Sequence, residues 1–158
     1  MKHQPIRRSK HIMALSKDHH SCLLFCWKIN EGIKRGVELS RIKNYINFFW
    51  ENHLKVHFSE EETLLFDAVC DPLTQQAQNE HRVLTEKFNE INVGTSNRND
   101  EYADLAELMT QHVRFEERVL FPHLEVKLSS EALTRIGEYL NEHHQTFFNE
   151  YFQDQFWT

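Results

Sequence analysis

The chain has little glycine and little proline, four and three residues in 158. That scarcity excludes a turn-rich sheet protein and leaves long helices with few breaks. Cysteine is also scarce. Three thiols cannot all pair and none stands in a Cys-x-x-Cys step, so no disulfide framework is expected, and a cytoplasmic location is. No apolar run is long enough to span a membrane, and the basic start lacks the continuous apolar stretch of a secretory signal. Basic charge is not in excess. The net charge of −6 argues against a nucleic-acid surface. Lys2, Arg7, Arg8 and Lys10 read as a short solvated arm. At this length one domain over residues 1–158 is expected, with a bundle over about 9–127 and a C-terminal helix and tail over about 130–158.

What the chain has in excess is histidine, with eleven residues and no terminal tag. Their placement is ordered. His57-Phe58-Ser59-Glu60-Glu61-Glu62-Thr63-Leu64-Leu65-Phe66 recurs 55 residues later as His112-Val113-Arg114-Phe115-Glu116-Glu117-Arg118-Val119-Leu120-Phe121. An acid-His step precedes each copy, Asp18-His19 and Glu80-His81. A His and a Glu four residues on lie on one helix face, one turn apart.

Periodicity predicts four long helices and a fifth. The first runs from near Ser9, its cap, to about Ile33, with Gly32 and Gly36 ending it. The second runs from about Ser40 to Val69, with Ile42, Ile46, Phe49, His53, His57, Glu61, Leu64 and Ala68 facing in. Asp71-Pro72 starts the third, whose inner stripe is Leu73, Ala77, His81, Leu84, Phe88 and Ile91. After a loop over 92–99, the fourth runs from about Asp100 to Lys127 with Leu105, Leu108, His112, Glu116, Val119 and His123 inward. Pro122 should kink it or end its regular part. Ser129 or Ser130 caps the fifth, with Leu133, Ile136, Leu140, His143, Phe147 and Tyr151 on its apolar face. The expected fold class is all-α, an up-down-up-down four-helix bundle with an additional C-terminal helix. The aromatic tail, Phe148, Phe152, Phe156 and Trp157, should dock on the bundle or form a homodimer patch.

A carboxylate on a core stripe is costly unless paired or bound to a cation. Here Glu61 and Glu116 occupy matched core positions beside His57 and His112, with His19 and His81 on the neighbouring stripes. Four imidazoles and two carboxylates suit a pair of first-row transition ions. Each Glu can bridge both ions, and six protein ligands leave open positions. Glu60, Glu62 and Glu117 read mainly as solvated charge. Asp18 and Glu80 stand one step off the stripe, and His20 faces outward. His53 is an extra ligand, a proton relay or a hydrogen-bonded core histidine. His143 reads as a core residue, with capping of the site as the alternative. Cys22 and Cys26 read as core filler, with a redox role as the alternative. No His-Glu-x-x-His step is present, which excludes a zincin.

These residues resemble the hemerythrin-like family, or HHE cation-binding domains, over about residues 12 to 125. The resemblance rests on Asp18-His19, His57-x-x-x-Glu61-Glu62, Glu80-His81, His112-x-x-x-Glu116-Glu117 and Leu120-Phe121-Pro122. It implies a four-helix bundle with a non-haem di-iron centre, oxo- or hydroxo-bridged, with Mn or Zn as alternative metals. It also implies the ligand set His19, His57, Glu61, His81, His112 and Glu116. The chain has Thr85 where oxygen-carrying members have a further His, and Glu116 where they have a bridging Asp. It therefore resembles the bacterial four-His, two-Glu branch, linked to NO and iron stress as well as O2.

The function expected is binding, sensing or reaction with O2, NO or peroxide. One alternative is an iron-responsive protein-interaction module. Another is a di-iron oxidase, peroxidase or nitrosative-stress repair enzyme, though no substrate pocket is legible. The partner expected is thus a small diatomic ligand or peroxide, with no nucleic acid, no membrane and a homodimer as an option.

Overall fold

The computed structural model describes residues 7–94, 98–145 and 152–158. The described secondary structure is helical, with no strand. Helix α1 spans Met13–Lys34, α2 residues 39–66, α3 Pro72–Val93, α4 residues 99–127 and α5 Ser130–His143.

Local chemistry sets the ends. Ser9 does not cap α1. Its carbonyl accepts from the Ile12 amide at 3.2 Å and its hydroxyl from the His11 amide at 3.3 Å, so it closes a turn ahead of the helix. Gly36, at φ 69°, ends α1 in the left-handed region that glycine adopts without strain. Gly32 is not a stop; it lies buried inside the helix. Asp71 caps α3 reciprocally. Its carboxylate accepts from the Leu73 and Thr74 amides at 3.0 and 3.1 Å, and Thr74 Oγ1 accepts from the Asp71 amide at 2.9 Å. Ser129 caps α5 by accepting from the Ala132 amide at 3.1 Å.

Helices α2 and α4 are not regular throughout. Trp50–Leu54 and Glu62–Phe66 in α2, and Glu116–Leu120 in α4, are π-helical turns. The amides of Lys55, Asp67 and Phe121 donate to carbonyls five residues back, at Trp50, Glu62 and Glu116. Each wider turn shifts the face that follows. Leu64 and Ala68, expected inside, give way to Leu65 and Phe66. Val119 and His123 give way to Leu120, Phe121 and Leu124. Pro122 follows the π turn of α4, where the regular ladder has already given way.

Two apolar layers flank a polar middle. One holds Ile12 just ahead of α1, Leu15 of α1, Leu65 and Phe66 of α2, Ala77 of α3 and Leu120, Phe121 and Leu124 of α4. The other holds Phe25 and Ile29, then Ile42, Phe49 and Phe58, then Leu84 and Phe88, then Leu105 and Met109. Along the chain, α1 and α3 run from the first layer to the second, and α2 and α4 run back. The bundle is thus up-down-up-down, with α1 packed most closely along α4. His19, His57, His81 and His112 each fall at the crossing point, so they share one level.

The two ends are closed differently. Ile136 and Leu140 of α5 cover the first layer, and Phe156 and Trp157 of the tail cover the second. The tail docks on the bundle. Lys28 Nζ sits 3.9 Å from the Trp157 ring centre, and Arg41 donates twice to Asp154, at 2.9 and 2.6 Å. The expectations for Phe147, Phe148, Tyr151 and Lys2 lie outside the described residues.

Candidate metal centre

The middle level brings all six expected ligands together. His19, His57, Glu61 and Glu116 form one group; His81, His112, Glu61 and Glu116 form another. In each group one donor atom per residue lies within 4.8 Å of the others. The two groups share both carboxylates, which are 0% exposed. His57 Nε2 lies 3.1 Å from Glu61 Oε1, and His112 Nε2 lies 2.7 Å from Glu116 Oε1. His81 Nε2 lies 3.2 Å from Glu61 Oε1, and His19 Nε2 lies 3.5 Å from Glu116 Oε1.

The other nitrogen of each ring faces a second carboxylate, and the four pairs run round the bundle. Asp18 of α1 faces His57 of α2 at 2.8 Å, and Glu62 of α2 faces His81 of α3 at 3.3 Å. Glu80 of α3 faces His112 of α4 at 2.7 Å, and Glu117 of α4 faces His19 of α1 at 3.0 Å. A carboxylate accepts, so each Nδ1 carries its proton and donates. Each Nε2 is left facing the centre, where it can give its lone pair to a cation.

That arrangement fits a cation. Both oxygens of Glu61 and of Glu116, and Nε2 of His19, His81 and His112, are buried without a hydrogen-bond partner. Imidazole nitrogens and carboxylate oxygens converge on one level, as donors to a shared cation would. Buried orphan groups of this kind cost several kcal/mol in all unless a cation takes them. Ring stacking holds two of the imidazoles: Phe58 lies 3.8 Å from His81 and Phe121 lies 5.3 Å from His19, centroid to centroid.

Residues 10–124 match the hemerythrin HHE cation binding domain. The chain belongs to that family. Comparison with the curated proteins gave no match, nor did comparison with the solved structures.

The electrostatics of this HHE domain favour positive charge at the centre. Burial alone would depress the His57 imidazolium, but the charge of Glu61 and the bond to Asp18 outweigh it and raise its pKa to about 9. Burial likewise opposes charge on His19 and His81, and the nearby carboxylates of Glu116 and Glu61, with the bonds to Glu117 and Glu62, outweigh it and raise both. Burial would raise Glu116, and the charge of His112 holds it well below the usual range.

Sequence reasoning placed the inner six and undervalued the outer ring. Glu62 and Glu117 are not merely solvated charge, and Asp18 and Glu80 are bonded to rings of the inner four histidines. The signal was in the repeat, since these four acids match in pairs just as the inner six do. Arg8 is not a solvated arm residue either. Its side chain is 4% exposed, donates to the Glu117 carbonyl at 2.6 Å and carboxylate at 2.8 Å, and also pairs with Glu125. Ser16 donates to the same Glu117 carboxylate.

His143 was expected on the apolar face, and the structure puts its neighbour inside instead. His143 is exposed, beside Glu142. His144, the next residue, turns inward and bridges two acids, with Nδ1 3.0 Å from Glu60 and Nε2 3.2 Å from Asp18. Two carboxylates around one ring require both nitrogens to donate, so His144 is an imidazolium. Its bonds to Asp18 and Glu60 raise its pKa to about 10. Glu60 is therefore also no solvated charge. His53 is buried beside His57, and burial lowers its pKa to about 4. Cys22 and Cys26 lie in the core, where burial pushes Cys26 up to about 11; neither is a thiolate at neutral pH. His20 is exposed, and His123, half-buried, pairs with Asp71 at 2.6 Å.

Proposed function

We propose that the chain is a cytoplasmic di-iron protein that binds, senses or reacts with O2, NO or peroxide. One observation carries the reading. Two groups of His and Glu donors share both carboxylates, as a centre of two bridged ions requires. Nitrogen and oxygen donors without a thiolate suit iron, with manganese and zinc as the competing metals. His19 and His57 would hold one ion, His81 and His112 the other, and Glu61 and Glu116 both. Iron would supply redox chemistry and open positions for a small ligand. The protein's own part is to fix the six donors, through the outer carboxylates, and to keep the centre dry through Phe58, Phe66 and Phe121. The free thiols among the described residues suit a reducing compartment.

The test is metal content per chain, with absorption spectra of the ferrous protein before and after exposure to O2, NO and peroxide. Two irons and new charge-transfer bands are the expected result. Zinc alone, or two irons indifferent to all three ligands, would overturn it.

A further inference from the structure

The two halves of the centre match in their ligands and differ in what surrounds them. At 55 residues' offset, His53 corresponds to Leu108 and Glu60 to Phe115. The structure gathers these differences on one face. A cleft of about 310 Å³ reaches His57 between Asp18, His53, Glu60 and His144. Its counterpart at His112, about 220 Å³, has one carboxylate, Glu80, with Asn79 and Gln111, and is otherwise lined by Val83, Leu84 and Leu108. A hydrated cation entering at His112 meets one carboxylate, already bonded to His112, whereas at His57 it meets two, Glu60 and Asp18, with the His53 imidazole beside them.

Glu60 is surplus to the outer ring. The four ligand imidazoles are served by Asp18, Glu62, Glu80 and Glu117, and Glu60 serves His144 instead. His144 belongs to no bundle helix. It follows α5 and crosses from Glu60 of α2 to Asp18 of α1, closing the seam between them. On its far side lies a second cleft, about 440 Å³, that also touches Asp18 but carries Lys10 and Lys17. Those lysines oppose the approach of a cation, so the acidic side is the favoured one.

We propose that metal ions enter and leave the centre across the His57 face, received by Glu60, Asp18 and His53, with His144 as the latch over that route. The inference rests on the metal-centre reading above. When His144 leaves Glu60 and Asp18, two carboxylates are freed at the mouth, and a cation passes from them to His57 and Glu61. When His144 returns, its positive charge fills the same acidic mouth and bars a second cation.

The test is anaerobic stopped-flow transfer of iron from the loaded full chain to a strong ferrous chelator, with Fe(II) uptake by the metal-free chain measured in parallel. His144→Ala should release iron about tenfold faster, since two charge-assisted bonds no longer hold the face shut. Glu60→Gln should take up Fe(II) several-fold more slowly, and Glu60→Asp should restore much of the rate. Asn141→Ala, on the exposed face of α5 and outside the cleft, should leave both rates unchanged. All variants should keep two irons per chain at equilibrium and wild-type helix content. Release and uptake rates unchanged in both His144→Ala and Glu60→Gln, or an Asn141→Ala effect equal to that of His144→Ala, would overturn the route alone. A wild type that holds no iron would overturn the metal-centre reading and the route with it.

Discussion

Glu80 Oε1 lies 2.7 Å from Nδ1 of His112, the shortest of the four bonds that link one helix's carboxylate to the next helix's inner histidine. Glu80 touches no ion in the proposed centre, yet it sets which nitrogen of His112 keeps the proton and where the ring points. Glu80→Gln keeps the shape and loses the charge. Metal affinity should fall about 10- to 100-fold, the range for such outer partners. Competition against a chelator of known affinity measures it. A change under twofold would show that packing, not Glu80, orients His112.

The two shared carboxylates predict a different loss. Glu61 and Glu116 belong to both donor groups. Glu61→Ala should therefore lower metal content from two ions per chain to one or none, while Glu51→Ala, far out on the exposed face of α2, should keep two. Elemental analysis of the purified variants decides this. Two tightly held ions in Glu61→Ala would remove Glu61 from the bridge.

Stability and pH are linked through His144 and His53, with opposite signs. His144 has its pKa raised to about 10, so the folded state holds its proton more tightly than the unfolded chain. The resulting stabilisation is complete below about pH 6.5 and is lost as pH rises toward 10. His53 has its pKa lowered to about 4, so its neutral form is the folded form. Its contribution is present above about pH 6.5 and is lost as pH falls toward 4. Urea midpoints of the metal-free chain should fall on both sides. His144→Gln should flatten the alkaline limb and leave the acid limb in place. Equal slopes in wild type and variant above pH 7 would remove His144 from the linkage.

The bundle, the helix order and the inner six donors were legible because each leaves a periodic trace. Polar residues recur on otherwise apolar stripes, and the repeat names the same positions twice. The registers of α2 and α4 beyond the centre were not legible. A π turn leaves no mark in composition, and a 3.6-residue period carried through it puts Leu64 and Val119 inside when Leu65 and Leu120 are buried instead. His144 escaped for a related reason. It lies past the last helical residue of α5, where the helix period no longer says which way a side chain points.

That register shift can be measured by mutation. Leu120 is 0% exposed and Val119 is 44% exposed. Leu120→Ala should cost about 2–5 kcal/mol, the range for opening a core cavity, and Val119→Ala less than about 0.5 kcal/mol. Denaturant unfolding of the metal-free chain separates the two. Equal costs, or the reverse order, would place the π turn elsewhere in α4.

Gly32 shows how the tail is held. A Cβ at this position would lie 2.7 Å from Phe156 Cε2 and 3.0 Å from Ile42 Cδ1, so the glycine makes room for the tail's aromatic ring. Two effects of Gly32→Ala then compete. Alanine favours the helix by about 1 kcal/mol. The clash with Phe156 costs about 1–3 kcal/mol where the ring cannot shift freely, and here Tyr45 and Trp157 pack against it. Gly32→Ala alone should be destabilising. In a Phe156→Ala background the clash is gone, only Ile42 remains close, and the same substitution should stabilise by about 0.5–1 kcal/mol. The double-mutant cycle reads the coupling directly as a change of sign. The same effect in both backgrounds would mean that Phe156 does not occupy the space over Gly32 in solution.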